Sequence, residues 1–174
     1  MSVNERAFIP LSIAVLTVSD SRTEATDKSG QLLVARLEQS GHRLGEKAIV
    51  PDDKYRTRAV VSRWIAADEP QVILTTGGTG ITGRDGTPEA VQPLLDKEII
   101  GFGEMFRVLS FDVIGTSTLQ SRAAAGVANG TFVFCLPGSS AACAEAWDSL
   151  IQHQLDYRTR PCNLVELMPR LLET

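Results

Sequence analysis

From Leu74 to Ala90 the chain reads Leu-Thr-Thr-Gly-Gly-Thr-Gly-Ile-Thr-Gly-Arg-Asp-Gly-Thr-Pro-Glu-Ala, with five glycines in the ten residues from Gly77 to Gly86. Glycine has no Cβ, so backbone N–H groups can turn inward and a bulky anion can approach closely. Such a loop after an apolar strand suits a phosphate or similar ligand, which makes Thr75, Gly77, Gly78, Thr79 and Gly80 candidate binding residues. The same glycines would equally serve an ordinary surface turn. Two better-known loops do not fit. Gly78, Gly80 and Gly83 satisfy G-x-G-x-x-G, yet the helix signal arrives only at Thr87-Pro88-Glu89, beyond the glycines and after the second or third strand. Gly78 to Gly83 also has P-loop spacing, but Arg84-Asp85 stand where Lys and Ser or Thr belong. An aspartate there repels phosphate unless a metal comes between them.

Three other polar clusters follow apolar runs. Ser19-Asp20 follows the run to Val18, Asp52 follows Val50-Pro51, and Pro137-Gly138-Ser139-Ser140 follows Leu136. Each has a plainer use: an Asx or Ser turn at Asp20, a turn or helix cap at Asp52, a helix cap at Ser139 or Ser140. A helix N-terminus with adjacent hydroxyls also suits phosphate. Ser117 closes a further β-rich segment.

The elements that must position these residues follow from periodicity. Leu11 to Val18 and Thr131 to Leu136 are near-continuous apolar runs, as in strands covered on both faces. Val72 to Leu74 opens the strand of the glycine loop, and the more polar Leu44 to Val50 reads as a strand nearer an edge. Asp27 or Ser29 caps a helix with Leu33, Val34 and Leu37 inward, ending at Gly41. Thr57, Val60, Val61, Trp64 and Ile65 keep helical spacing, with Trp64 in the core. Thr87 is expected as N-cap, with Pro88 at the first helical position; Pro93 kinks or shortens the helix that follows. Phe102, Met105, Phe106 and Leu109 line one face of another helix, as core or subunit contact. Phe111 to Gln120 reads as a strand, Ser121-Arg122-Ala123 as the start of a short helix, and Asn129-Gly130 as a turn. Cys143, Trp147, Leu150 and Ile151 face inward from a long helix, and a short one ends the chain.

Alternating strands and helices predict a three-layer α/β/α domain with a mostly parallel sheet. Right-handed crossovers would bring Ser19-Asp20, Asp52, Thr75 to Asp85 and Pro137-Gly138-Ser139 to one edge, where open α/β sheets bind ligands. At 174 residues one domain spanning 1–174 suffices, with 1–10 as an N-terminal extension. A net charge of −4 without charge blocks argues against nonspecific nucleic-acid or anionic-membrane binding, so a small ligand is expected. Met1 to Pro10 lacks the pattern of a signal peptide and no run is long enough to span a bilayer, so a cytoplasmic location is expected. Cys135, Cys143 and Cys162 are odd in number and suit reduced packing thiols rather than disulfides or zinc. His42 and His153 have no evident nucleophile partner.

With these residues in place, the chain resembles the molybdenum-cofactor biosynthesis proteins with the molybdopterin-binding fold, from Ile13 to the mid-160s. The resemblance rests on Thr75-Thr76-Gly77-Gly78-Thr79-Gly80, Asp85-Gly86-Thr87-Pro88-Glu89-Ala90, Gly101-Phe102-Gly103-Glu104 and Leu136-Pro137-Gly138-Ser139. Phe106 to Phe111, Gly115 to Ala123 and Arg158 to Asn163 are similar to the branch called molybdenum cofactor biosynthesis protein B; molybdopterin adenylyltransferase is the neighbouring branch. For the latter, the resemblance implies that the terminal phosphate of molybdopterin attacks the α-phosphate of ATP with Mg2+ assistance, releasing pyrophosphate. It implies Asp52 and Asp85 as catalytic residues and magnesium ligands. Gly77, Gly78, Thr79 and Gly80 would hold a phosphate or the pterin, and Ser139 and Ser140 a second anion; Ser19, Asp20, Thr75, Thr87, Ser117, Pro137 and Gly138 complete the implied binding set. Some B-branch members depart at the first aspartate, whereas this chain keeps Asp52; Gly86 stands where the adenylyltransferase pattern usually has valine. The expectation is an active adenylyltransferase, with a non-catalytic molybdopterin or precursor binder as the alternative. The family also implies a homotrimer or homohexamer.

Overall fold

Because β1 (Ser12–Val18) is buried at every position, it must be covered on both faces, and it is. The computed structural model describes residues 6–174. Residues 1–5 of the expected N-terminal extension lie outside the described residues; within it, Phe8 packs its ring 5.0 Å from that of His42. The remaining elements run α1 (Lys28–Gln39), β2 (Arg43–Val50), α2 (Lys54–Ala66), β3 (Val72–Thr76), α3 (Thr87–Val91), β4 (Lys97–Glu98), α4 (Ile100–Ile114), β5 (Ala124–Ala128), β6 (Thr131–Leu136) and α5 (Ser140–Ala146). A π-turn, Trp147–Ile151, carries α5 on to Gln154, and a 3-10 segment, Val165–Arg170, supplies the expected terminal helix.

The six strands are ordered β2-β1-β3-β6-β5-β4. The first four are mutually parallel, and β5 and β4 complete the sheet by antiparallel pairing. Side chains alternate between two cores. Ile13, Val15, Val72, Leu74, Phe132 and Phe134 meet Leu33, Leu37, Phe102, Phe106 and Trp147 on one face. Ala14, Leu16, Ile73 and Val133 meet Val61, Trp64, Ile65 and Val91 on the other. The three-layer α/β/α expectation holds, including β2 at an edge. Asp27 caps α1 by accepting from Gly30 N–H at 3.0 Å, and Gly41 follows with φ +91°. Trp64 is core, its Nε1 donating to Glu46 at 2.8 Å. Among the described residues no helix is long and apolar enough to cross a membrane.

Two expectations need correction. Phe111 to Gln120 is not a strand: α4 continues to Ile114, Gly115 ends it at φ +58°, and a 3-10 turn covers Gly115–Gln120. Phe102 and Phe106, one turn apart, bury beside Phe134 and fix the helix; the β-branched Val113 and Ile114 simply lie exposed. Ser121-Arg122-Ala123 starts no helix but leads into β5. The Asn129-Gly130 turn, positive in φ at both residues, is the two-residue hairpin that pairs Ala128 with Thr131, and this pairing overrides alanine's helix propensity. Of the stripe expected as core or subunit contact, Phe102 and Phe106 are core and Met105 is 50% exposed.

Candidate functional site

All four predicted loops leave the same edge of the sheet, because β2, β1, β3 and β6 are parallel and adjacent. Pairing of Val18 with Val50 sets the first two loops side by side. Asp20 N–H donates to Asp52 Oδ2 at 2.9 Å while Asp52 N–H donates to Asp20 Oδ1 at 3.0 Å, a reciprocal brace. Arg84, from the glycine loop, grips both Asp20 oxygens through Nε at 3.0 Å and Nη2 at 2.7 Å. Between β3 and β6, Gly77 N–H donates to Leu136 O at 3.0 Å, and Thr76 Oγ1 donates to Pro137 O at 2.9 Å.

The glycines are there for backbone shape. Gly77 has φ +100°, and a Cβ on it would sit 2.2 Å from Val18 O; Gly78 has φ +68°, and its Cβ would meet Thr87 Oγ1 at 2.3 Å and Asp52 Oδ1 at 3.5 Å. Thr87 is not the N-cap expected of it. Gly86 holds that position, and Thr87, first in the helix, donates its hydroxyl to Gly77 O at 2.8 Å, which pins the turn. Pro88 accordingly stands second in the helix.

Beside this turn opens a cavity of about 400 Å³. Gly78, Thr79, Gly80 and Asp85 form one wall and Pro137, Gly138 and Ser139 another; Phe106, Ser110, Ile114, Gln120, Ser121 and Ala142 close it. Ser139 caps α5, accepting from Ala142 N–H at 3.1 Å. The predicted residues thus divide. Asp85, Gly78 to Gly80 and Pro137 to Ser139 share the cavity, and Gly77 and Thr87 support it from behind. Asp52 stands against Gly78 rather than in the cavity wall, with Ser19 and Asp20 on the same flank. Ser140, at the first turn of α5, lies outside the lining, as does Ser117, which is exposed on the 3-10 turn. Thr75 does not reach the surface: it is fully buried within β3 and its hydroxyl is unpartnered.

Sequence reasoning missed Ser110, Gln120, Ser121 and Arg122. Gln120, Ser121 and Arg122 were hidden by the assignment of 111–123, and Ser110 by its place at the end of the helix before it. Arg122 donates through Nε to Gly80 O at 2.8 Å and pairs with Glu89 in the first turn of α3. A basic residue facing a glycine loop was the only available signal. A second cavity, about 300 Å³, lies beneath α3 between β4, β5 and α4; Val91, Leu95, Ile99, Arg107 and Arg122 help line it, and none of the predicted site residues does.

The carboxylates at the edge are tuned differently. The Thr82 hydroxyl, 2.6 Å from Asp85 Oδ2, holds Asp85 below the usual carboxylate range, against a smaller effect of burial. Asp20 is held low by Arg84. Asp52 is pushed up, chiefly by burial, with the charges of Asp20 and Asp85 adding to it. A cation would relieve that repulsion. Among the described residues no group of three or more His, Cys, Asp or Glu forms a metal enclosure. Asp85 and Asp52 are the carboxylates at this edge that could hold a hard divalent ion, which takes oxygen ligands and completes its shell from water and phosphate. Burial pushes the Cys135 and Cys143 thiols up to about 11, and both pack in the core as expected; Cys162, expected to pack as well, is a free exposed thiol instead.

The chain as a whole is similar to known proteins. The family described as a probable molybdopterin binding domain matches residues 14–157. Molybdenum cofactor biosynthesis protein B of Escherichia coli K12 is 56% identical over 163 residues, covering 94% of this chain and 96% of that protein. The crystal structure of a molybdenum cofactor biosynthesis protein B superposes with a TM-score of 0.83 at 46% identity, covering 86% of this chain and 94% of that one. The tungsten cofactor synthesizing protein MoaB from Pyrococcus furiosus gives a TM-score of 0.73 at 39% identity, with 80% and 89% covered. With its glycine loop, its Asp85-to-Ala90 segment and its Leu136-Pro137-Gly138-Ser139 turn all falling inside the matched span, the chain belongs to the molybdenum cofactor biosynthesis protein B family.

Proposed function

We propose that this protein serves molybdenum cofactor biosynthesis by binding molybdopterin at the carboxyl edge of its sheet and adenylating it with ATP. In that reaction a terminal phosphate oxygen of molybdopterin bonds to the α-phosphorus of ATP, and the bond from that phosphorus to the pyrophosphate oxygen breaks. The observation that carries the reading is the cavity itself, where the glycine turn, Asp85 and the Pro137-Gly138-Ser139 turn face one volume.

Backbone N–H groups of Gly78 to Gly80, with Thr79, would hold a phosphate or the pterin edge, while Gly77, its N–H given to Leu136 O, shapes the turn; Ser139 at the start of α5 would hold a second anionic group. Asp85, kept ionised by Thr82, and Asp52, braced by the Asp20 amide, would hold magnesium. When bound, magnesium neutralises the charge that two approaching phosphates build up. Transfer of this kind asks for positioning and charge stabilisation rather than a nucleophilic side chain, so the absence of a paired His or Cys at the site is no obstacle.

Self-association belongs to the same reading. Met105, Val108, Phe111 and Ile114 expose an apolar stripe along α4, and Ile114 also borders the cavity, so a second copy on this face would lie beside the bound ligand. Sedimentation as a trimer or hexamer supports this, and a monomer counts against it. The enzymatic test is incubation of the protein with molybdopterin, ATP and Mg2+, followed by measurement of adenylated product and pyrophosphate. Turnover supports the proposal; retained molybdopterin binding without turnover would make the protein a non-catalytic binder.

A further inference from the structure

We infer that Arg122 is a positioning residue for the glycine loop, its backbone N–H and its guanidinium together holding the loop's carbonyls outward so that the loop's amides and Asp85 face the cavity. This rests on the adenylation reading for its catalytic consequence, but the geometry stands by itself. Arg122 lies two residues before the start of β5. Its backbone N–H donates to Thr79 O at 3.3 Å and its Nε to Gly80 O at 2.8 Å. Its Nη2 reaches toward Asp85 O at 3.5 Å, and its Nη1 pairs with Glu89. One residue thereby touches the beginning of the loop, its end and the helix that follows.

The consequence follows from the rigidity of the peptide unit. In a trans peptide the C=O and the next N–H point in opposite directions. Holding the Thr79 and Gly80 carbonyls toward Arg122 therefore turns the Gly80 and Ile81 amides the other way. The Asp85 carboxylate lies on that side, so close that a Cβ on Gly80 would stand 2.6 Å from Asp85 Oδ2. Gly77 and Gly78 are fixed separately by Leu136 O and Thr87, so the inner half of the loop is held by the sheet and the outer half by Arg122. An exposed ion pair alone contributes little. The bonds to main-chain carbonyls are what set geometry, and Glu89 serves to aim the guanidinium.

The test compares Arg122→Gln, Arg122→Lys and Glu89→Gln in the full chain. Two readouts are taken: hydrogen exchange of the 78–85 amides in the unliganded protein, and kcat and KM for adenylation. In Arg122→Gln the 78–85 amides should exchange about tenfold faster or more while β1 and β6 keep their protection. Its kcat should fall about a hundredfold with KM changed far less, the signature of misplaced reacting groups. Arg122→Lys, with a single ammonium nitrogen in place of the planar fork, should fall between, and Glu89→Gln should lie nearer the wild type than either. Unchanged exchange over 78–85 in Arg122→Gln, or a Glu89→Gln effect as large as that of Arg122→Gln, would overturn the inference. If Arg122→Gln loses protection throughout the chain, Arg122→Lys is judged by the same criteria. A wild type without turnover would refute the adenylation reading, while the exchange measurement would still decide the role of Arg122.

Discussion

At the amino end of the parallel strands, neutral groups answer one another in the interior. Leu11 N–H donates to His42 Nδ1 at 3.2 Å, Ser12 N–H to Gln71 Oε1 at 2.9 Å, and Gln71 N–H to Ser12 O at 3.0 Å. His42 is sealed between Phe8 and Trp147. At the carboxyl end the same strands run into Asp20, Asp52, Asp85 and Arg84, partly exposed charges braced loop to loop. One end closes the core with neutral bonds between main chain and buried side chains. The other keeps carboxylates, amides and a capped helix at a cavity, which is useful only if something charged comes to meet them.

The comparison can be broken at single residues. Gly77→Val should have the largest effect: the left-handed φ and the contact with Val18 O should cost about 3 kcal/mol or more, read as a lowered denaturant midpoint. Asp85→Asn should keep the wild-type unfolding curve yet lower adenylation about 10² to 10³-fold, because it removes charge without volume. Unchanged turnover there would mean that another group holds the metal. Gly78→Val should weaken molybdopterin binding by about 2 to 3 kcal/mol as its branch enters the turn, and normal affinity in a titration would refute the cradle.

The amino end has a pH signature of its own. Burial depresses His42 from 6.5 to about 4, while the charge of Asp156 pulls weakly the other way. The unfolded chain therefore takes up the proton first. Stability from burying the neutral ring is complete above pH 6.5 and is lost as pH falls through 4. His42→Gln should flatten that fall by on the order of 2 kcal/mol, measured by urea unfolding across the window. The smallest effect belongs to Gly83→Ala, where a Cβ would meet nothing within 4 Å. It should stay within about 0.5 kcal/mol of the wild type, in contrast to Gly77 six residues earlier.

Much of this was legible in the residues. The apolar runs of β1 and β6 announced strands buried on both faces, and parallel neighbours then bring four loops to one edge. Asp27, Gly41, Ser139 and Asn129-Gly130 mark caps and turns because their side chains or φ angles suit few other places. The segment from Phe111 to Ala128 was misread because its β-branched and alanine residues reflect surface exposure and sheet pairing, which depend on distant partners such as Phe134 and Thr131. The grip of Arg122 on Gly80 spans 42 residues and became visible only once β5 was placed beside the loop. Thr75 shows the opposite error: its place in a motif suggested contact with ligand, while its register against Leu16 and Cys135 buries it.

A crystal of the protein soaked with molybdopterin shows whether the cavity at the carboxyl edge receives it. Ligand density is expected between Thr79 to Asp85 and Pro137 to Ser139, with a phosphate against the glycine amides. Density in the cavity lined by Leu95 and Arg107 instead, or none at a concentration that saturates binding in solution, would contradict that placement.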